Sequence, residues 1–463
     1  MFKKIDQKDI DFLMKLLGEK EVILKENIEH DYAKDEMGMV VGYPEVLVFA
    51  HDKKQIQEIM KYAYEKHIPV TVRGAGTGLV GACVATSGGI LLDINKMNKI
   101  IELDKTNMTL RVEPGVMLLE IYDAVEKEGL FYAPDPGEKT ATIAGNIATN
   151  AGGMRAIKYG VTRDWVRGLE VVLADGSLIK VGGKVVKNST GYPLKELFIG
   201  TEGTLGIIVE ATLRLTSRPK FSASLLVPFE SSLDAIKAAP ELIKRHVTPT
   251  AVEYLDHNSL TFSSEFLGKH IPHNNYSAYL LLSYDENTSE ALTSDLDEAS
   301  KIAIELGAID VYLIDTDERK DTIWTVRGAF LEAIKASTTQ MDEIDVVLPR
   351  SYIAEYLDFT NKVSKEIGLR MPYFGHVGDG NLHIYFCKDD LEDDVFHERL
   401  NKAFDIMYDK AFTYGGLVSG EHGIGYAKKE YMVRLLGETQ IDLMKGIKKV
   451  FDPKGILNPD KVL

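Results

Sequence analysis

The chain has 463 residues, 45% of them hydrophobic and 27% charged, which suits two or three folded domains with real cores. Its net charge of −16 repels phosphate backbones and sets nucleic acid aside as a partner. Two cysteines, Cys83 and Cys387, cannot build a disulfide framework or an iron–sulfur site within this chain.

The N-terminal stretch MFKKIDQKDIDFLMKLLGEK is amphipathic and mixed in charge, so it does not read as a signal peptide. No run of 18 apolar residues appears. A reducing cytoplasm is the simplest setting.

Residues 6–30 are expected to be helical, with Ile10, Leu13, Leu16 and Leu17 on one face. A second amphipathic helix is expected over 53–67, followed by a strand over 68–73. GGILLDI and MTLRVEPGV read as strands, and LLEIYDAVEKEGL as a helix ended by Gly129. From 141 to 218 the pattern turns glycine-rich and β-rich. GLEVVLADGSLIKVGG there predicts a hairpin with an Asp-Gly turn at 175–176.

After about residue 220 glycine thins and helix–strand alternation takes over, which marks a second α+β domain. Beyond 386 the chain reads as mainly helical. The expected division is 1–219 (an N-terminal helix and two α+β subdomains), 220–415, and a C-terminal segment 416–463 that returns to the first domain.

Three glycine-rich segments stand out in the first domain. VRGAGTGLVGACVATSGGILLDIN carries Gly76-x-Gly78-x-x-Gly81 after a strand, with Asp93 ending a later one. This mimics a dinucleotide fingerprint, which requires a helix directly after the glycines. Only a short stretch separates Gly81 from the strand at 90, too little for a parallel crossover. Two readings remain: a loop whose N–H groups wrap a pyrophosphate without a helix, or a mobile glycine turn. PDPGEKTATIAGNIATNAGGMRAIKYG (134–160) and GTEGTLGIIVEATLRL (200–215) add small residues, which leave a slot for something flat or extended.

In this order the three segments resemble the FAD-binding domain of the vanillyl-alcohol oxidase superfamily, and the resemblance covers nearly the whole chain. It implies an α+β fold with a substrate (cap) domain and a helical C-terminal segment. It also implies FAD contacts from Arg73, Gly74, Gly76, Thr77 and Gly78 in the first loop. In the second it implies Pro134, Asp135, Thr142, Gly145, Asn146, Thr149, Gly152 and Gly153, and in the third Glu202, Thr204, Gly206 and Ile207. Some members attach flavin through a histidine in the first loop. No histidine stands there, so FAD is expected to be non-covalent.

YFGHVGDGNLHIYF (373–386) carries two histidines seven apart. With Asp379-Gly380 as a two-residue turn, Gly378 would oppose Asn381, Val377 would oppose Leu382, and His376 would oppose His383. The two rings would then share a face at roughly 4.5–5.5 Å between Cβ atoms. Such a pair can hold a metal or simply pack in a sheet.

GGLVSGEHGIGYAKK sets Glu421-His422 between Gly420 and Gly423, either as a site with room for a ligand or as a solvated loop. Arg327, in IWTVRGAFLEAIKAS, can grip a carboxylate bidentately or pair with an acid on a helix surface. Two histidines and a carboxylate form a common catalytic metal set with open positions.

Together these residues resemble the metal-dependent D-2-hydroxyacid dehydrogenase branch of the superfamily, which includes D-lactate, glycolate and D-2-hydroxyglutarate dehydrogenases. The resemblance implies that His376, His383 and Glu421 bind one divalent metal (zinc, iron or manganese). It makes His422 the base and Arg327 the substrate-carboxylate clamp, with the α-hydrogen passing to flavin. After the arginine, relatives often carry further polar substrate contacts. Here stand Gly328, Ala329, Phe330 and Leu331, which suggests a small apolar side chain such as that of D-lactate, with Lys335 as a distal contact.

The sequence looks closest to dehydrogenase subunits paired with an electron-transferring flavoprotein, linked to NAD and ferredoxin. Quinone-linked glycolate or D-2-hydroxyglutarate oxidation is the alternative. A scaffold without catalysis would be expected to lose the base or the clamp, and a zinc hydrolase would not need the flavin loops.

Overall fold

A computed structural model describes residues 2–245, 247–269, 271 and 275–463. The chain divides into two compact units. The first comprises 1–151, 161–218 and 421–463, and the second 152–160 and 219–420.

In the first unit the N-terminal helix runs only over Gln7–Leu17, capped by Asp6. The expectation of helix to residue 30 fails at Gly18, whose φ of +95° ends it. Short 3-10 turns and the strand β1 (Val22–Leu24) follow. β2 (Val46–Phe49), β3 (Val70–Arg73) and β4 (Ile90–Asp93) complete a sheet in the order β1-β2-β4-β3. The helix Lys53–Lys66 closes on His67 in the left-handed conformation.

β3 and β4 are parallel neighbours, with Arg73 beside Asp93. The connecting residues 74–89 contain no helix, so the glycine loop itself makes the parallel crossover. The expectation that this stretch is too short for one is thereby corrected. Glycine backbone turns through left-handed φ at Gly76, Gly81, Gly88 and Gly89 take the place of the helix.

The second sheet of this unit is antiparallel, built from β5 (Ile100–Asp104), β6 (Thr109–Val112), β8 (Val166–Val172), β9 (Leu178–Gly182) and β10 (Ile207–Arg214). Its order is β5-β6-β10-β8-β9, and β7 (Leu130–Phe131) pairs separately with β11 (Thr216–Ser217). The β8–β9 hairpin turns at Asp175-Gly176 as its sequence predicts, with Gly176 at φ +84°.

The C-terminal residues are woven into this unit. Leu457 bridges Val70 in parallel. The Asn458 amide donates to the Ala82 and Glu202 carbonyls at 2.9 and 2.6 Å.

The second unit is a seven-stranded antiparallel sheet, in the order β15-β12-β14-β13-β17-β18-β16. Its strands are β12 (Phe221–Phe229), β13 (Ala251–Asp256), β14 (Ala278–Glu286), β15 (Tyr312–Ile314), β16 (Met341–Val347), β17 (Tyr373–His376) and β18 (Asn381–Cys387). On one face Leu226, Leu255, Tyr279, Leu281, Phe374 and Tyr385 form a core with Leu260, Ile323, Val326 and Phe330 from the helices His257–Leu267, Asp317–Gly328 and Phe330–Ala336. Residues 152–160 join this unit through Lys158 and Tyr159. The Lys158 ammonium and the Tyr159 hydroxyl both donate to the Asp285 carboxylate, at 2.7 and 3.0 Å.

The acid that mimics a ribose-binding residue, Asp93, is 1% exposed and accepts from Asn95 N and Nδ2 at 2.8 and 3.0 Å. Burial pushes its carboxyl up from 3.8 to about 6. Between those values the folded protein holds a proton that the unfolded chain releases, so this group's contribution to stability falls as pH rises from 3.8 to about 6. Asp93→Asn keeps the Oδ1 acceptor and removes the titration. The variant should gain stability over wild type between pH 4 and 7, by up to about 3 kcal/mol, in urea unfolding curves taken across that range. A difference independent of pH would contradict this.

Candidate active site

Period-2 geometry builds the second unit's polar centre directly from its core. Along β13 the inward row runs from Leu255 to Glu253, along β17 from Phe374 to His376, and along β18 from Tyr385 to His383. On β16 it runs from Met341 through Glu343 to Asp345. The same face that is apolar at one end becomes charged at the other.

The register puts Tyr254 opposite Gly375, which sets Glu253 against His376 on the next pair. Asp345 lies opposite His383. The His376 and His383 ring centroids are 5.5 Å apart.

The expected hairpin register is corrected. His376 pairs with Asn381, and Phe374 with His383, so the loop is four residues, 377–380. Gly378 N donates to Val252 O on β13, which removes Gly378 from the hairpin ladder. Asp379 N and Gly380 N both donate to His376 O. A shift of two residues preserves the face, so the histidines still converge, now as diagonal neighbours.

Each histidine is tied to a buried carboxylate. His376 Nδ1 lies 2.6 Å from Glu253 Oε1, and His383 Nδ1 lies 3.0 Å from Glu343 Oε1. An ionised carboxylate only accepts, so Nδ1 carries the proton and Nε2 is the lone-pair nitrogen. Metal-binding imidazoles are commonly held this way, with the ring N–H away from the metal donated to a carboxylate. One ring nitrogen of His376 and one of His383 lie within 4.8 Å of each other. Glu253, Glu343 and Asp345 are buried carboxylates grouped around these two rings, and acids beside paired imidazoles suit a divalent cation. The donor set of this unit therefore fits such an ion.

Arg327 is 7% exposed on its helix, and its Nε and Nη2 donate to Glu253 Oε2 at 2.8 and 2.5 Å. Its guanidinium lies over Phe374 and Phe330, 4.7 and 5.4 Å from the ring centroids. Burial opposes ionisation of Glu253, but His376 and Arg327 outweigh it and hold the carboxyl below its usual range. Neither Glu253, Glu343 nor Asp345 was expected from motifs. The available signal was acids inside apolar strands, TAVEYLD and MDEIDVV, the latter with two acids at i, i+2.

Asp345 accepts from the Asn381 amide and the Ser419 hydroxyl, each at 2.6 Å, and from Gly420 N. A Cβ on Gly420 would lie 2.3 Å from Asn381 Nδ2, so this glycine is required by the amide packed on it. The chain passes from the second unit to the first between Gly420 and Glu421.

In the first unit, His422 Nε2 stands 3.8 Å from Glu421 Oε1. The turn beyond it is held by Glu202, whose carboxylate accepts from Ile424 N and Gly425 N at 2.8 and 2.9 Å. Burial pushes the Glu202 carboxyl up, against the pull of these amides. Glu202, expected as a flavin contact, thus has its carboxylate on this turn.

Other expected flavin residues fall in the first unit, apart from Gly152 and Gly153, which lie in the second. The Arg73 guanidinium is committed to the Lys34 and Asp31 carbonyls at 2.8 and 2.9 Å. Gly74 packs where a Cβ would meet Thr142 Oγ1 at 2.3 Å, whereas Gly78 opens onto space. Thr77 flanks Gly78 half-buried. Thr142 caps the helix Ile143–Thr149 through Gly145 N, and Thr149 Oγ1 donates to Gly145 O. Asn146 is 5% exposed, and its Nδ2 has no hydrogen-bond partner among the described residues. An unpartnered buried donor and an open glycine in the first loop suit a ligand rich in acceptors, as FAD is. The Pro134 carbonyl takes the Tyr122 hydroxyl, Asp135 pairs with Lys139, Thr204 Oγ1 donates to Thr201 O, and Gly206 and Ile207 lead into β10.

With these features in place, comparison with known proteins is decisive. Residues 44–182 match the family described as FAD binding domain, and 218–462 match FAD linked oxidases, C-terminal domain. The chain belongs to the FAD-linked oxidases. It is 45% identical to a D-lactate dehydrogenase of Anaerostipes hadrus, over 97% of this chain and 96% of the relative. It is 37% identical to the glycolate oxidase subunit GlcD of Bacillus subtilis (strain 168), over 93% and 91%. The structure of p-cresol methylhydroxylase with substrate bound superposes with a TM-score of 0.81 at 19% identity, covering 100% of this chain and 98% of that one. This bears out the vanillyl-alcohol-oxidase-type fold and the resemblance to FAD-dependent hydroxyacid dehydrogenases. The chain is an FAD-dependent oxidoreductase. No helix among the described residues is long and apolar enough to cross a membrane.

Gly423 sits at φ +88°, and a Cβ there would lie 2.8 Å from Glu202 Oε1. Gly423→Ala should cost about 1–3 kcal/mol of stability and release the Ile424 and Gly425 amides to faster hydrogen exchange. Gly446→Ala, on an open helical position with nothing within 4 Å, should instead stabilise by about 0.5–1 kcal/mol. Equal effects would refute the steric account.

Proposed function

We propose that this FAD-linked oxidase oxidises a small D-2-hydroxy acid, D-lactate foremost, to the 2-oxo acid with FAD and one divalent metal. The observation that carries the reading is the buried row in which an arginine and two carboxylate-held histidines share one face. Arg327 binds the substrate carboxylate. His376 and His383, with Glu421 as third ligand, hold the metal, and His422 accepts the hydroxyl proton. When bound, the metal acts as a Lewis acid at the hydroxyl and FAD supplies the two-electron acceptor.

The positions after Arg327 supply no counter-charge until Lys335, which favours a methyl over a second carboxylate. The 45% identity to a D-lactate dehydrogenase supports the same choice. The 37% identity to a glycolate oxidase subunit makes glycolate the second substrate to test. D-2-Hydroxyglutarate, with a quinone as acceptor, is the remaining alternative.

Cys83 and Cys387 cannot carry an iron–sulfur cluster, so the electrons leave to an external acceptor. We assign that role to an electron-transferring flavoprotein linked to NAD and ferredoxin, in the cytoplasm. FAD is held without a covalent bond.

Anaerobic mixing with D-lactate should bleach the flavin, with glycolate slower and L-lactate inert. Bleaching by D-2-hydroxyglutarate alone would overturn the substrate. His422→Ala should keep its FAD and lose bleaching by at least about 100-fold, as for loss of a general base. His376→Ala should lose its metal in elemental analysis, and full occupancy would break the ligand assignment.

A further inference from the structure

The carboxylate of Glu253 is fully buried and serves two groups at once. Its Oε2 accepts from Arg327 Nε and Nη2, and its Oε1 accepts from His376 Nδ1. We propose that Glu253 is a positioning residue that couples the substrate-carboxylate clamp to the metal-ligand histidine. This rests on the reading above.

The coupling follows from hydrogen-bond inventory. A carboxylate offers acceptors on both oxygens, so it can orient a guanidinium on one and fix an imidazole tautomer on the other. Holding the proton on Nδ1 keeps His376 Nε2 as the ligand nitrogen. Holding Nε and Nη2 fixes the guanidinium plane against Phe374 and Phe330, so that Nη1 is the edge not engaged by Glu253.

An amide cannot do both. In Glu253→Gln one terminal atom becomes an NH2 donor, which repels either the Arg327 N–H groups or the His376 Nδ1–H. The imidazole can escape by moving its proton to Nε2, the tautomer that cannot ligate through that atom.

The test uses the FAD-loaded full chain and measures iron, zinc or manganese retained against a chelator. Glu253→Gln should keep its FAD, bind metal about 10–100-fold more weakly, and raise KM for D-lactate more than it lowers kcat. Arg327→Lys, which alters no ligand, should also weaken metal retention several-fold. A metal-loaded wild type matched by both variants would overturn the coupling and leave the functional reading standing. A wild type with no metal would overturn the metal reading and the coupling together. If Glu253→Gln does not fold, 15N-histidine spectra of the metal-free wild type decide instead, with His376→Gln giving the assignment. His376 should carry its proton on Nδ1, and a proton on Nε2 overturns the proposal.

Discussion

The second unit's polar centre depends on one buried ion pair, Glu253 with Arg327. A carboxylate at the middle of a sheet, fully removed from water, is tolerable only if both oxygens are satisfied. Replacing such a pair by apolar residues is often neutral or stabilising, so its presence is poorly explained by stability. What it provides is geometry. The guanidinium is held over two touching aromatic rings, and the imidazole on the other carboxylate oxygen is held in one tautomer.

The sheet makes this possible at little structural cost. The strands β13, β16, β17 and β18 each contribute an apolar residue to the core and, two positions on, a polar one to the same face. Arg327 descends from a helix already anchored by Ile323 and Val326. The polar centre is thus an extension of the core's packing, and its side chains inherit the core's rigidity.

Much of this was legible in the sequence. The glycine loops announced a cofactor domain because only glycine tolerates the backbone they adopt. The histidines announced a shared face because strand periodicity is two, and that inference survived a register error of two residues. The error itself had a physical source invisible to the local sequence: Gly378 finds its carbonyl partner on β13, more than a hundred residues away. The acids were missed because a lone carboxylate within an apolar strand carries no motif, and its partner lies far along the chain. Glu202 was assigned to flavin by resemblance, while its side chain grips the turn after His422. The glycines beside Glu421-His422 were read as room for a ligand. Two of them are instead places where Asn381 and Glu202 press against the backbone.

The path of the C-terminal residues through the first unit has a consequence for the order of assembly. Ala82, in the first glycine loop, and Glu202, in the third segment, both receive the amide of Asn458. Closing a contact across 376 residues carries a large loop entropy and cannot be anticipated by local structure. The glycine loop therefore gains this strut only once residue 458 has been added, however early its own residues are made. Its native shape is a property of the assembled unit and not of the loop.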